Sequence, residues 1–539
     1  MVVHFVNALV AQAPATYWVR FTDKSATPYS IDQPEAFLSE RAIQRRAAQG
    51  ITLDEQDLPV DPNYIATVLA QGDVTLVNRS KWFNAITIRT EDPLALAAVQ
   101  GLPFVVAVEN TRSLQGSGPG EEHLAPPVDH GERGGDITDY GPSFLQIAMM
   151  NGHVLHGMEA KGQGLLIGVL DSGFDRVDEL PAFEALRARE GIIHTRDMVV
   201  HDGDVFADHW HGRSVLSTMV GQLEGLLKGT APEADYVLLR TEDADSEFLV
   251  EEDNWVAGAE LCDSLGCDVL NTSLGYTVFD DSLQDHTYAD MNGQVTRISI
   301  AADIAARKGM IPVISAGNSG ESEWHYIGAP ADAVDILAVG AVGDVGNSAP
   351  FSSYGPSADG RVKPDVAAMG WGAIGLRFEG DSIAPLNGTS FAAPILAGLV
   401  ACLWQLHPDR TAQDIMDAVR RSASQFDTPD DRLGYGIPDL LAAHDHLVMT
   451  TTVHEAHEHV GVTLFPVPFT DRLTVVGAEG QEMNIALCDP IGRVVLSRTM
   501  KAVGGPIELH GLGDLPEGAY LLHVVADGIR TTRSVIKAR

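Results

Sequence analysis

The stretch Leu165–Gly173, with the sequence LLIGVLDSG, is an apolar run that ends at a carboxylate and a turn. Such a run, bounded by turn residues, is typical of a strand that is buried on both faces of a parallel sheet. Similar runs recur along the chain and alternate with helical patterns: Tyr236–Leu239, Val269–Asn271, Ile311–Ile314 and Ile336–Val339. This alternation predicts an α/β fold, a parallel sheet with helices on both faces.

A second stretch, Asn387–Pro394 (NGTSFAAP), places Ser390 where a turn of small residues enters a helix. A serine hydroxyl is a poor nucleophile unless a base and an orienting acid are present. Both candidates lie upstream: Asp171 follows the first apolar strand, and His211 precedes Gly212 and a small, apolar helical pattern. The chain therefore carries a candidate acid, base and nucleophile, in that order.

Each of these residues alone also has an ordinary structural explanation. Asp171 could be a strand-end turn residue, His211 a polar histidine and Ser390 a helix N-cap. A further segment, Ile314–Asn318, is an apolar strand that ends in small residues and an amide. The four segments together are a much stronger signal than any one of them. His209 competes for the role of base, but it lacks the glycine and the helical pattern that follow His211.

These four segments, in this order, resemble those of the subtilisin-like serine proteases. The resemblance implies that Ser390 attacks the scissile carbonyl, that His211 transfers the proton and that Asp171 orients the imidazole. It also implies that Asn318 and the main-chain amide of Ser390 form the oxyanion hole. One position departs from the family, because Arg213 stands where a threonine is usual. This arginine either faces solvent or pairs with a nearby carboxylate and narrows the cleft.

The segment Asn271–Tyr276 resembles the family's strand that lines the primary specificity pocket and pairs with an extended substrate. The resemblance implies that Ser273, Leu274 and Gly275 bind substrate. From its residues alone, the segment is a strand that leaves the core through a glycine turn. The expected ligand is a protein or peptide.

An acidic stretch, Glu242–Asp253, follows the strand that ends near Leu239. It is consistent with a solvated loop, with a surface that favours basic substrate side chains, or with oxygen ligands for calcium. The chemistry requires no cofactor, and calcium is the structural ion that such a stretch could hold. The 19 histidines include no H-E-x-x-H motif, so no metal ligand is assigned.

The amino-terminal part of the chain predicts export and a separate small domain. Residues 1–13 are mostly apolar and end in a small-x-small site, as a signal peptide does, although no basic residue precedes the apolar run. Either the true start lies upstream or the signal is weak. Residues 14–113 mix strand-like stretches with a helical one and predict a small α+β domain. The resemblance implies a propeptide that covers the cleft; the alternative is a fixed accessory domain.

The remaining boundaries follow from shifts in composition. Residues 114–140 are rich in Gly, Pro and acidic residues and predict a linker in which processing occurs, which leaves 141–447 as the catalytic domain. A second linker is expected at 448–461, where several histidines and glutamates could alternatively hold a metal. Residues 462–539 show short strands with regular turns and predict a small all-β sandwich.

The carboxy-terminal segment resembles the sorting domains of the type IX secretion system of Bacteroidetes. The resemblance is carried by Phe465–Pro468, Asp489–Arg493, Leu515–Tyr520 and Ser534–Lys537, with Pro-Val-Pro in place of the usual Pro-Asn-Pro. It implies that the type IX machinery is a partner and that the protein is secreted or held at the cell surface.

Composition narrows the function classes further. The 539 residues include 74 acidic and 36 basic ones, and the formal charge of −38 argues against nucleic acid and anionic membranes as partners. No run approaches the ~20 apolar residues of a membrane span. Cys262 and Cys267 could form a disulfide or be two small buried residues. The expected function is a secreted serine endopeptidase made as a zymogen. The alternative is a catalytically silent surface binding protein, whereas the absence of G-x-S-x-G argues against a lipid or ester hydrolase.

Overall fold

The structure is a computed structural model. It describes residues 15–112, 139–377, 380–454, 463–465, 469–476, 482–488, 494–501, 507–513, 515–516, 518–526 and 529–538. The expected signal peptide and nearly all of the expected first linker lie outside these residues. The chain divides into two compact units, Met1–His444 and Asp445–Arg539.

The first unit begins with a small α+β domain, as the sequence predicts. Its antiparallel sheet has the order β2-β3-β1-β4. The elements are β1 (Thr16–Phe21), α1 (Glu40–Ala48), α2 (Pro62–Leu69), β2 (Thr75–Ser80), β3 (Ala85–Arg89), α3 (Pro93–Gln100) and β4 (Val105–Arg112). The three helices begin at side-chain caps on Ser39, Asp61 and Asp92, and proline opens the second and third. The hydrophobic core of this small domain packs around Val19, Ile86 and Ile88.

The rest of the first unit is built around a seven-stranded sheet in which every strand pair is parallel. Its strands are β5 (Leu166–Asp171), β6 (Ile192–Asp197), β9 (Asp235–Arg240), β10 (Val269–Thr272), β11 (Ile311–Ser315), β12 (Leu337–Val342) and β13 (Val366–Met369), in the order β13-β12-β11-β10-β5-β9-β6. Two short hairpins accompany it: β7 (Gln222–Leu223) with β8 (Leu227–Lys228), and β14 (Trp371–Leu376) with β15 (Ile383–Asn387).

Helices complete the α/β fold that the apolar runs predict, and several of them pack directly against this sheet. They are α4 (Phe144–Ala148), α5 (Gly152–Gly157), α6 (Glu184–Ala188), α7 (His211–Val220), α8 (Val250–Leu265), α9 (Arg297–Arg307), α10 (Thr389–Gln405), α11 (Ala412–Arg421) and α12 (Leu440–His454). The strands β5, β10, β11 and β12 are buried along their whole length. This burial explains why they contain almost no polar residues before their carboxyl ends.

The small amino-terminal domain packs on α8 through buried charges. Glu260 accepts hydrogen bonds from the Ser80 hydroxyl at 2.6 Å and from the main-chain amides of Lys81 and Trp82 at 2.6 and 3.0 Å. Burial raises the pKa of Glu260 to about 7. These contacts fix the edge of the small domain against one face of α8.

A second charged group lies one turn further along α8. The Asp263 carboxylate pairs with the side chains of Arg45 at 2.7 Å, Arg46 at 2.7 Å and Lys81 at 2.8 Å, and all four side chains are buried. Burial acts to raise the pKa of Asp263, but the charges of Lys81, Arg46 and Arg45 hold it well below its usual range. The three cations come from the small domain, so this cluster binds that domain to α8.

The second unit consists of two antiparallel sheets with a shared core, which is the predicted sandwich. One sheet contains β16 (Thr463–Phe465), β17 (Arg472–Val476) and β20 (Ile507–His510). The other contains β18 (Glu482–Cys488), β19 (Val494–Lys501), β21 (Gly518–Ala526) and β22 (Ile529–Lys537). Leu473 and Leu509 of the first sheet pack with Ile485 and Leu522 of the second.

Some details differ from the sequence analysis. Helix α12 continues to His454, beyond the expected start of the second linker at residue 448, because no Gly or Pro interrupts the run. The rest of that linker lies outside the described residues. Cys262 and Cys267 are both buried and free, so the disulfide alternative is wrong for this pair. Among the described residues, no helix is both long and apolar enough to span a bilayer.

Candidate active site

The predicted acid and base meet at the carboxyl edge of the parallel sheet. Asp171 is the last residue of β5, and His211 is the first residue of α7. The Nδ1 atom of His211 lies 2.7 Å from Oδ1 of Asp171, and both side chains are buried. The same carboxylate oxygen accepts the Ser172 main-chain amide at 2.8 Å. This arrangement fixes the plane of the imidazole and leaves a carboxylate beside its Nδ1 atom.

Two glycines allow this close approach. A Cβ atom on Gly212 would lie 2.3 Å from the carbonyl oxygen of Gly173 and 2.9 Å from Cβ of Asp171. Gly173 has a φ of 148° and faces the main chain of His209. The start of α7 therefore sits directly on the turn that follows β5, which only small residues permit.

His209 has a different partner from His211. Its Nδ1 atom lies 2.8 Å from the Ser172 hydroxyl, whereas Nδ1 of His211 lies 2.7 Å from the Asp171 carboxylate. The geometry thus pairs His211, not His209, with the acid.

The candidate nucleophile lies in the first turn of α10. Its hydroxyl donates to the main-chain carbonyl of Ser273 at 3.3 Å, and the Ser273 hydroxyl donates to the Ser390 carbonyl at 2.8 Å. The second bond has a local cause, since Pro394 lies four residues further along the helix and has no N–H to give to that carbonyl. Ser273, the residue after β10, supplies the missing donor and so connects the end of this strand to the candidate nucleophile.

Hydrogen bonds from Thr389, the residue before Ser390, hold the side chain of Asn318. Its Oδ1 atom accepts from the main-chain amide of Thr389 at 2.9 Å and from the Thr389 hydroxyl at 3.0 Å. The Nδ2 atom lies on the side of Gly388, where a Cβ would be 3.6 Å away. The main-chain amide of Ser390 is in the first helical turn, which has no preceding helical carbonyl to bond. Two donors thus stand next to the nucleophile.

These elements surround one cavity of about 380 Å³. Ser390, Asn318 and the predicted substrate segment Ser273, Leu274 and Gly275 all line it. The ring of His211 lies 6.0 Å from the ring of Phe391, the residue that follows Ser390. The structure therefore places Ser390, Asn318 and the predicted substrate segment around one cavity, and His211 against Asp171.

Arg213 is not solvent-facing. It is buried, its guanidinium donates to the Asp175 carboxylate, and it donates to the Arg377 carbonyl at 2.7 Å. Sequence reasoning left this pairing open, because α6 and β6 separate Asp175 from Arg213 along the chain and only the fold makes them neighbours.

The acidic stretch is only partly a solvated loop. Glu251, Glu252 and Asp253 form the first turn of α8 and are each 1% exposed. Glu252 pairs with His286 and Asp253 with Arg297, at 2.6 and 2.9 Å. The first turn of a helix favours negative charge, but nothing in the sequence shows that these carboxylates are buried.

Comparison with known proteins identifies this architecture. The model of the "Subtilase family" matches residues 162–436, just over half of the chain. The chain belongs to the subtilase family. Its members are serine-type endopeptidases, in agreement with the resemblance that the sequence motifs carry.

Two further family models match the flanking parts of this subtilase. The "Peptidase S8 propeptide domain, Bacteroidota" matches residues 16–124, and the "Secretion system C-terminal sorting domain" matches residues 463–538. These matches confirm a propeptide before the subtilase domain and a type IX sorting domain after it. The sorting domain marks the subtilase for export, as a secreted or surface protein.

Several curated proteins are similar to this subtilase. Serine protease AprX of Bacillus subtilis (strain 168) is 26% identical over 315 residues, covering 52% of this chain and 66% of AprX. The membrane-bound transcription factor site-1 protease of Mus musculus is 28% identical over 313 residues, covering 54% and 26% of the two chains. Subtilisin BL of Lederbergia lenta is 27% identical over 281 residues, covering 52% and 91%. The subtilase thus spans less than two thirds of the first two relatives.

Two solved structures match part of this subtilase. The prenylagaramide maturation protease PagA is 23% identical with a TM-score of 0.44, and the match covers 55% of this subtilase and 98% of PagA. MycP1 from the ESX-1 type VII secretion system is 22% identical with a TM-score of 0.45, and the match covers 60% and 90%.

Proposed function

We propose that this subtilase is a secreted serine endopeptidase, made as a zymogen, that cleaves peptide bonds through Asp171, His211 and Ser390. The proposal is carried by one observation: the buried 2.7 Å contact between His211 and Asp171 lies next to Ser172, which lines the same cavity as Ser390 and Asn318. A protein or peptide is the substrate, bound by Ser273, Leu274 and Gly275.

The first chemical step is proton transfer. Rotation about the Cα–Cβ bond of Ser390 turns its hydroxyl from the Ser273 carbonyl to Nε2 of His211, which removes the proton as oxygen attacks the carbonyl carbon. The carboxylate of Asp171 holds the Nδ1–H tautomer and stabilises the imidazolium. The same imidazolium then protonates the leaving amine, and an acyl-enzyme remains on Ser390 until water hydrolyses it.

Charge on the tetrahedral intermediate is stabilised by donors that are already in place. These are Nδ2 of Asn318 and the main-chain amide of Ser390, helped by the positive end of α10. Because Thr389 fixes Oδ1 of Asn318, the amide needs no reorganisation when the negative charge develops. No metal takes part in these steps.

For the zymogen we propose the boundaries that composition suggests: a signal peptide at 1–13, a propeptide at 14–113, a linker at 114–140, the catalytic domain at 141–447, a linker at 448–461 and the sorting domain at 462–539. The propeptide and sorting matches at 16–124 and 463–538 support this division. Cleavage within 114–140 frees the enzyme, and the type IX machinery handles residues 462–539.

Labelling with a fluorophosphonate probe tests the proposal. The full chain, and a sample from which limited proteolysis has removed residues before Tyr140, are compared with Ser390→Ala and with Ser322→Ala, an exposed serine as matched control. We expect labelling that disappears in Ser390→Ala, persists in Ser322→Ala and increases on removal of the amino-terminal residues. A folded, processed sample that takes up no probe would instead indicate a silent binding protein.

A further inference from the structure

Three carboxylates converge beside the cavity that Ser390 and Asn318 line. Glu242 and Glu247 lie in the loop after β9, and Glu251 lies in the first turn of α8. One carboxylate oxygen from each residue lies within 4.8 Å of one oxygen from each of the other two. None of these residues is needed for the proposed triad or oxyanion hole.

The buried member of this group carries the strongest observation. Glu251 is 1% exposed, and neither of its carboxylate oxygens has a hydrogen-bond partner. A buried carboxylate without a donor is costly, so such groups are normally paired. Burial, and then the charges of Glu247 and Glu242, raise the pKa of Glu251 well above its usual range. The side chain is therefore built to face something that the polypeptide itself does not supply.

The geometry of the three oxygens fits a cationic head group. Because the three oxygens lie within 4.8 Å of one another, a single atom placed between them can lie about 2.8 Å or less from each. About 2.8 Å is the usual N···O distance of a charge-assisted hydrogen bond. A lysine ammonium has three donors and no acceptor, and a guanidinium has five donors. Three converging acceptors are the complement of such a group.

The surroundings indicate that the cation belongs to a peptide. Glu242 and Glu247 line the same cavity as Ser390 and the predicted substrate segment. Leu274, Val278 and Phe279 also line this cavity and offer apolar surface to the aliphatic stem of a basic side chain. A calcium ion, by contrast, takes six to eight oxygen ligands, and the Tyr276 hydroxyl already donates to Glu242 at 3.0 Å.

One basic side chain already docks at the rim of this group. Arg112 is the last residue of β4 in the propeptide, and its guanidinium lies 3.6 Å from the Asp243 carboxylate and 4.9 Å above the ring of Phe248. Asp243 and Phe248 flank Glu247 in the loop. The loop thus already accepts a cation, from the end of strand β4.

We propose that Glu242, Glu247 and Glu251 form a subsite that binds the lysine or arginine side chain of a peptide substrate. This inference rests on the proposed endopeptidase function and adds a specificity to it. The subsite selects a basic residue at one fixed distance from the scissile bond, because the carboxylates are held by the loop and by α8.

Cleavage of a positional peptide series by the processed enzyme tests the subsite. The series is internally quenched and carries Lys, Arg or Gln at each position in turn, and the measured quantity is the ratio of kcat/KM for the Lys and Gln peptides. We expect a ratio of about tenfold or more at a single position, as charge-assisted hydrogen bonds provide. The ratio should fall toward one in Glu247→Gln. It should be retained in Asp245→Asn, which removes an exposed carboxylate from the same loop.

Three outcomes contradict the inference. Cleavage without preference for a basic residue at any position overturns the subsite but leaves the endopeptidase intact. A preference that survives in both Glu247→Gln and Glu251→Gln assigns it to other residues. A calcium-dependent rise in melting temperature that Glu247→Gln abolishes, with unchanged peptide selectivity, makes the group a metal site.

Failure to cleave any peptide, combined with no fluorophosphonate labelling, overturns the proposed function itself.

Discussion

The imidazole of His211 is held by Asp171 through a 2.7 Å contact from Nδ1 to Oδ1, while Ser172 contributes its amide to the same oxygen. Oδ1 of Asp171 thus contacts both the His211 imidazole and the main-chain amide of Ser172. This sharing makes the orientation of the base depend on a single oxygen atom, which leads to the first prediction.

Replacement of Asp171 by asparagine should lower kcat by about 10⁴-fold, because an amide can stabilise the wrong imidazole tautomer. KM should change little, since the side chain does not line the cavity. Steady-state kinetics on a short peptide measure both constants. Asp178→Asn, an exposed carboxylate on the same loop, is the control, and equal activity of the two variants would contradict the assignment of the acid.

Loss of the Asn318 amide should reduce kcat by about 100- to 1000-fold. Asn318→Ala removes the Nδ2 donor together with the Oδ1 that accepts from Thr389. Asn318→Asp keeps an acceptor for Thr389 but has no donor, so it separates the two effects. Both variants should be impaired in kcat; full activity of the aspartate variant would remove Asn318 from the oxyanion hole.

The buried cluster around Asp263 should control the stability of the zymogen. Asp263→Asn leaves Arg45, Arg46 and Lys81 without their shared carboxylate, and breaking a buried ion pair costs about 3–5 kcal/mol. Urea unfolding of the full chain in a Ser390→Ala background, which prevents self-cleavage, measures the loss. Glu179→Gln is the control, because Glu179 and its partner Arg176 are 65% and 48% exposed and exposed pairs contribute about 0–1 kcal/mol. Similar losses in the two variants would show that the cluster does not hold the propeptide.

His156 should make the stability of the catalytic domain depend on pH. Its Nε2 atom lies 2.9 Å from the Thr230 carbonyl and its Nδ1 atom 2.9 Å from the Tyr140 hydroxyl, an arrangement that suits the neutral ring. Burial, assisted by the charge of Lys228, lowers the pKa of His156 from its usual 6.5 to about 4. The unfolded chain therefore binds the extra proton between these two values. The stabilisation is present above pH 6.5 and is lost as the pH falls toward 4.

This contribution amounts to roughly 3 kcal/mol at most. It is measured as the difference in unfolding free energy between the Ser390→Ala protein and its His156→Gln derivative, from pH 7 to pH 4.5. The difference should narrow as the pH falls. Parallel curves for the two proteins would rule out His156 as the group responsible.

The sequence predicts the central strands well and the edges poorly. Strands β5 and β11 are continuous apolar runs, since both of their faces are buried, and their ends are marked by polar residues or glycine. Strand β6 escaped notice because it lies at the edge of the sheet, where half-exposed positions tolerate the sequence IIHTRD. Strand β13 is short and follows a proline, which breaks the pattern that reveals its neighbours.

The candidate site divides in a similar way. The four motifs point to Asp171, His211, Asn318 and Ser390, because each residue lies at or next to the end of a strand or the start of a helix. The spacing of residues cannot show that Arg213 contacts Asp175, because α6 and β6 separate the two residues along the chain. Nor can it show that Glu251 is buried without a partner, since that depends on how the loop after β9 folds over the first turn of α8.

Helix α8 has a consequence for the processed enzyme in solution. In the zymogen, Arg45, Arg46 and Lys81 neutralise Asp263, and Ser80 covers Glu260. Under the proposed processing the propeptide leaves with these cations, and we expect a negatively charged helix face to become exposed to water. Two processed molecules then present like-charged faces to each other, and this mutual repulsion favours dispersed monomers over self-association at low ionic strength.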